Sequence, residues 1–329
     1  MATMVRETRA RREGRLRAGG VVAGALALTA GVFAVAGRLG FNPTDDGYIL
    51  AESYRILHGE VPHLDFISPR PVGSPIIHLL DFTLPLPLMT ASRLVTTAEL
   101  VATAVLVGWL VIGRSPARWR AWEGVAVAAS ALVSIHGFPL MDWHTIDGLL
   151  LVALGFVLVQ YPRTTAAGFI ALGAALVVKQ SFFLAPLIGV AMVTARTAPV
   201  ERFATAVRSL LWAAVPGALY VIAISAFGAF PSFVDQITGA RPIYGRDLID
   251  QMLTGGAIAR SAVVVLLLVA VVATESRPRP RPWIGTGLRV ALTALVVGTA
   301  LQQHLQLYGT WADQLEAIAG VVVLWHMWR

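Results

Sequence analysis

The chain has no cysteine, and Lys179 is the only lysine among its 329 residues. Without cysteine there are neither disulfides nor thiolate metal sites, so a metal could rest only on carboxylates and histidines. Charge is scarce as well: 14% of the residues are Asp, Glu, Lys or Arg, against about 25% in a soluble domain. No polar stretch is long enough to fold as a separate soluble domain. What fills the chain instead is apolar: 56% of residues are hydrophobic and the mean hydropathy is +0.69. The few charges lie between long apolar runs, as in a chain whose solvent is lipid. The net charge of +7 does not argue for nucleic acid, because the arginines flank the apolar runs and read as orientation signals.

Segments near 19–41, 91–112, 121–139, 146–160, 165–178, 181–195, 207–229, 256–273, 286–303 and 314–328 approach or fall somewhat short of the ~20 residues a bilayer crossing needs. They predict an all-α polytopic transmembrane bundle of about ten spans, using 1–329 as one domain. No small-residue cleavage site follows the first run, which is therefore expected to remain as a span. Arginine sets the orientation, since short basic loops stay in the cytoplasm. Arg6, Arg9, Arg11, Arg12, Arg15 and Arg17 precede the first span; Arg114, Arg118 and Arg120 follow the second, and Arg163 the fourth. Arg196, Arg202 and Arg208 follow the sixth, Arg277, Arg279 and Arg281 the eighth, and Arg329 the tenth. Both termini are thus expected in the cytoplasm of a multi-pass plasma-membrane protein. Because Arg163 and Arg196 share a side, the chain must cross twice between them, which puts Lys179 in a tight outer hairpin. Of the 19 acidic residues, 13 fall on the predicted outer side, where the chemistry is therefore expected.

The first outer loop, 42–90, holds much of that acid. Residues 44–59 read as one surface helix: Thr44 can cap it, Asp45 and Asp46 suit the positive end of the helix dipole, and Gly59 ends it. Tyr48, Ile49, Ala51, Ile56 and Leu57 give it an apolar side for the membrane surface. Capping alone explains the two aspartates as well as chemistry does. The prolines of 61–71 exclude a helix there and leave an extended loop bearing Arg70, whose planar fork suits oxyanions; headgroup snorkelling is the plainer use of the same residue.

The run Asp45-Asp46-Gly47-Tyr48, continued by Arg55 through Phe66, resembles the first outer loop of GT-C class membrane glycosyltransferases. The nearest likeness is to the protein mannosyltransferase and aminoarabinose transferase branch. Asp46 stands where that branch has glutamate and Arg70 where it has lysine, both keeping charge, whereas Ser68 replaces an acidic position. Asp147 resembles a second acidic position of the family, and Lys179-Gln180 its outer lysine facing the lipid-linked donor phosphate. The resemblance implies an inverting transfer of a sugar from a polyprenyl-phosphate carrier to an acceptor outside the membrane. It assigns Asp45, Asp46 and Asp147 to catalysis and Arg70, Lys179 and Gln180 to the donor phosphate. Tyr48, His144 and His304 would line the substrate cleft, and Asp45 with Asp147 would hold a divalent cation, Mg2+ or Mn2+.

Other polar groups allow plainer readings. His136, Asp142, Trp143 and His144 share an outer loop, yet their spacing matches no metal motif. Residues 231–255 suit a lid or a connecting loop, and Gln302 to Tyr308 put amides where a cavity would need them. Glu99 lies within the second span and must face protein or water. A transporter or flippase of lipid-linked saccharides would instead show charge at mid-membrane and internal repeats. A catalytically silent assembly partner would share the fold without the turnover.

Overall fold

The computed structural model describes residues 2–37, 47–137 and 140–239. Among these, all regular structure is helical. The helices are α1 (Ala2–Ala36), α2 (Tyr48–Leu57), α3 (Gly73–Ile77), α4 (Leu88–Ile112), α5 (Ala121–Gly137), α6 (His144–Leu158), α7 (Thr165–Val178), α8 (Leu184–Ala195), α9 (Arg202–Ala226) and α10 (Phe230–Gly239). Contacts divide the chain into two units, the first made of Met1–Leu110 with Arg114–Ile237. The packing below lies within the first.

Three helical stretches are long and apolar enough to cross a membrane: Gly19–Ala36, Leu88–Ile112 and Pro199–Ala226. The expected spans between 121 and 195 appear as α5 to α8, of 17, 15, 14 and 12 residues. At ~1.5 Å per residue they are about 18–26 Å long, short of a ~30 Å hydrocarbon core. Breaks at Tyr161–Arg163 and at Lys179 limit them. The last three expected spans lie outside the described residues. Two boundaries also differ from expectation. α1 continues through the arginine-rich segment from Ala2, and Phe230–Gly239 forms helix α10 where a lid or loop was expected.

Helices α6, α7 and α8 form two successive antiparallel hairpins around Phe169, Leu172 and Ala175, all fully buried. Lipid offers helices no hydrophobic reason to associate, so close packing must hold them, and glycine permits it. A Cβ on Gly168 would lie 2.9 Å from the Gly155 carbonyl oxygen, so α6 and α7 meet backbone to backbone. Gly173 brings α7 closer still to the Ala213 carbonyl of α9. At the other end of α7, a Cβ on Gly73 would meet the Val177 carbonyl at 2.5 Å, which seats α3 of the first loop on the α7 terminus. A second core of Phe66, Val72, Tyr220, Ile224 and Ala229 joins that loop to α9.

Candidate functional site

The first loop is held by its own backbone and by two neighbouring helices. Helix α2 begins at Tyr48 rather than Thr44, because Gly47 sits at φ +93°, a left-handed conformation that breaks a right-handed helix. No acidic residue lies in its first turn, and Asp45 and Asp46 lie outside the described residues. Its end follows the expected pattern: Gly59 adopts φ +84°, Glu60 N–H donates to the Arg55 carbonyl, and Gly59 N–H donates to that of Ile56. The face turned inward carries Ile49, Leu50, Glu52 and Ser53, while Tyr48, Tyr54 and Leu57 are exposed. Ser53 Oγ donates to the Pro75 carbonyl at 2.8 Å and ties α2 to α3.

Downstream, Arg55 donates to Glu60 at 2.5 Å and to the Asp65 carbonyl at 2.8 Å, and lies over the Phe66 ring. A second set of bonds fixes the loop to α9 and α10. The Gln236 amide donates to the His63 carbonyl at 3.0 Å, so its oxygen must accept from His63 Nδ1 at 3.0 Å. That leaves His63 Nε2 to accept from the Tyr220 hydroxyl at 2.5 Å. Burial lowers the His63 pKa and favours the neutral ring this chain of bonds requires.

Two polar clusters meet on the first turn of α6. The first is cationic. Arg70 donates to His144 Nδ1 at 3.3 Å, and Lys179 Nζ donates to Thr145 Oγ1 at 2.8 Å. Accepting on Nδ1 makes His144 neutral with its proton on Nε2, a buried donor that bonds no protein group. Burial, and secondarily the Arg70 charge, brings Lys179 from 10.5 down to about 8. Beside Arg70 lies Glu52, 5% exposed, with neither carboxylate oxygen in a hydrogen bond of full geometry. Burial raises its pKa against the opposing influence of Ser68, Tyr48 and Arg70. Partial burial and then the Glu52 charge push the Tyr48 phenol up to about 12, so it stays a donor.

The second cluster is anionic and sealed. His78, Asp81 and Asp147 are at most 1% exposed, and Asp142 is 4%. His78 Nδ1 lies 3.0 Å from Asp81 Oδ2 and 3.3 Å from Asp142 Oδ1, and Nε2 lies 3.3 Å from Asp147 Oδ1. Ser74 donates to Asp147, and Ser92 and Thr96 donate to Asp142 Oδ1 at 2.5 and 3.3 Å. Burial opposes a charge on His78, but Asp147 and Asp81 outweigh it and, with no cation present, raise the ring to about 11. Glu99 of α4 joins on the Asp147 side and so faces protein. Two sets could hold a metal ion, His78-Asp81-Asp142 and His78-Glu99-Asp147, each with its ligand atoms within 4.8 Å of one another.

Of the residues singled out in the sequence, Tyr48, Arg70, His144 and Lys179 fall in or beside the cationic cluster. Gln180 follows Lys179 and opens a 3-10 turn, Gln180–Phe183. Asp147 belongs to the anionic cluster, its carboxylate engaged by Ser74 and His78. His304 lies outside the described residues. Asp142 does join a metal-capable group, but with His78 and Asp81, about 60 positions upstream, rather than with His144. Sequence reasoning passed over His78 and the functional placing of Glu52. The signal for the former was His78-Leu79-Leu80-Asp81, an i,i+3 pair of ligand types in an otherwise apolar stretch. Comparison with protein-family models, curated proteins and solved structures finds no match.

Proposed function

We propose that this chain is an inverting glycosyltransferase that moves a sugar from a polyprenyl-phosphate donor to an acceptor outside the membrane. The observation that carries this reading is the meeting of Arg70 and Lys179 on consecutive residues, His144 and Thr145, at the positive end of α6. Two cations, a buried unpartnered imidazole N–H and a helix N-terminus make a cradle for a phosphate. In the transfer, the acceptor oxygen bonds to the anomeric carbon as the bond from that carbon to the phosphate oxygen breaks. The bonding pair leaves on the lipid phosphate, where Arg70 and Lys179 stabilise it. The acceptor proton goes to a carboxylate: Asp45 by the family resemblance, with Asp46 supporting it and Glu52 a further carboxylate close to Arg70. Tyr48 and His144 offer hydrogen bonds to the donor, His304 is assigned to the same cleft by sequence, and Gln180 to the donor phosphate. Asp147 is fully buried and faces His78, so no cation bound through Asp147 at the phosphate is part of this reading.

Glu99, a buried acid inside α4 beside His78, favours a second reading, transport of lipid-linked saccharides, since intramembrane acids often mark a transport path. The test is donor consumption by the purified protein in lipid nanodiscs, offered a panel of polyprenyl-phosphate sugars. Consumption of one donor, lost in Arg70→Ala, Lys179→Ala and Asp45→Asn, supports the transferase. Donor movement between leaflets without consumption establishes transport, and inertness in both assays leaves a partner role.

A further inference from the structure

We propose that His78 Nδ1, Asp81 and Asp142 bind one structural divalent ion of the borderline first-row type, Zn2+ or Mn2+, with Asp147 orienting the histidine from its other nitrogen. This holds independently of the transferase reading.

Charge gives the first argument. Asp81, Asp142 and Asp147 surround a single imidazole in a space with almost no solvent access. Even with Glu99 on the Asp147 side counted as neutral, a protonated ring would leave two of the three aspartate charges unbalanced, and burying uncompensated charge costs several kcal/mol per ion. A divalent ion beside a neutral ring leaves one, which the Ser74, Ser92 and Thr96 hydroxyls help to solvate.

Geometry gives the second. One ring nitrogen carries one proton, yet Nδ1 faces two carboxylates, at 3.0 and 3.3 Å. A lone pair sharing a cation with both carboxylates fits that arrangement better than one N–H divided between them. Tetrahedral ligands about 2.0–2.1 Å from an ion stand about 3.3 Å apart, close to these separations. On the far side, Nε2–H faces Asp147 at 3.3 Å, the carboxylate–histidine arrangement that fixes a metal-bound ring.

Unmet bonding gives the third. The second oxygens of the two carboxylates, Asp81 Oδ1 and Asp142 Oδ2, are buried without hydrogen-bond partners, so each is left over for bidentate ligation. Imidazole with carboxylates and no thiolate selects Zn2+ or Mn2+ over Mg2+, which keeps several waters that this enclosed site has little room for. The four groups come from the first loop and from the entry to α6, so an ion would clamp these segments together.

The experiment is metal stoichiometry on the full chain in nanodiscs, stripped with chelator and reloaded with ZnCl2 or MnCl2. Expected are about one ion per chain and a thermal unfolding midpoint that rises on reloading. Asp81→Asn and Asp142→Asn lose the ion, Asp147→Asn binds it about 10–100-fold more weakly, and Glu99→Gln retains it. Metal retained in Asp81→Asn but lost in Glu99→Gln would move the ion to the other set and overturn the assignment. If a variant fails to fold, X-ray absorption of the zinc-loaded wild type still tests the site, because a zinc spectrum without imidazole scattering overturns it. A wild type that holds no stoichiometric ion and melts alike with metal and chelator overturns the proposal and leaves His78 as a buried imidazolium.

Discussion

One turn of α6 carries two polar clusters of opposite sign. His144 and Thr145 hold the cations Arg70 and Lys179, whereas Asp147, on the same turn, faces His78 and its acids. Arg70 and Lys179 are half-buried; His78 and Asp147 are sealed. A half-open cluster can hold unbalanced charge, because water screens it until an ionic ligand arrives. A sealed cluster has no such recourse and must be neutralised permanently, by a proton or an ion. The difference in access, more than in residue type, separates a place suited to turnover from one suited to support.

The contrast is best broken at His78. His78→Leu removes the one imidazole among four buried acids, whether it serves as a charge partner or as a metal ligand, and should cost about 3–5 kcal/mol of stability, as loss of one member of a buried pair does. Thermal or denaturant unfolding in detergent reads this, and an unchanged midpoint would mean that the acids are already protonated. On the other side, Lys179→Met should leave stability equal or higher, since the lysine is buried at a cost. Donor turnover should nonetheless fall about 10²–10³-fold, the scale for one lost charge-stabilising group. A loss of stability in Lys179→Met without loss of turnover would reverse the roles assigned to the clusters.

Finer measurements sharpen the comparison. Tyr220→Phe removes the hydroxyl shared by His63 and Val72 and should cost about 1–3 kcal/mol, the penalty for leaving a buried partner unmet. The loop carrying Arg70 should then exchange amide hydrogens faster, while the His78 acids should not. The smallest effect is that of pH. Lys179 is depressed to about 8 from 10.5, so its burial costs stability wherever it is charged in both states, below pH 8. That cost fades as pH rises from 8 toward 10.5, and stability from this group rises with it. Donor affinity should move the other way, falling as the ammonium titrates above pH 8; Lys179→Arg should flatten that fall.

Much of the cationic cluster was readable in advance. Lys179 is the only lysine and interrupts an apolar stretch, and Arg70 lies between prolines, so each stood out as a charge without a local partner. The anionic cluster was far less legible. His78 and Asp81 sit among leucines in a stretch without helical periodicity, Asp142 among aromatics, and Glu99 alone in a helix. Apart from the i,i+3 pair His78 and Asp81, none has a partner at a recognisable spacing, because the other contacts join segments tens of residues apart. The helix starting at 44 failed for a local reason: Gly47 offered a left-handed break that the acidic pair before it made easy to overlook.

Composition alone determined the helical class and the apolar stretches able to cross a membrane, because burying a backbone in lipid demands internal hydrogen bonds and long apolar runs. It also determined which charges are rare. Only the tertiary structure decided that α5 to α8 are shorter than a bilayer crossing, that Arg70 and Lys179 meet across α6, and that four acids share one histidine. Those outcomes depend on how the first loop seats against the ends of α7 and α9, a long-range packing choice that no local periodicity encodes.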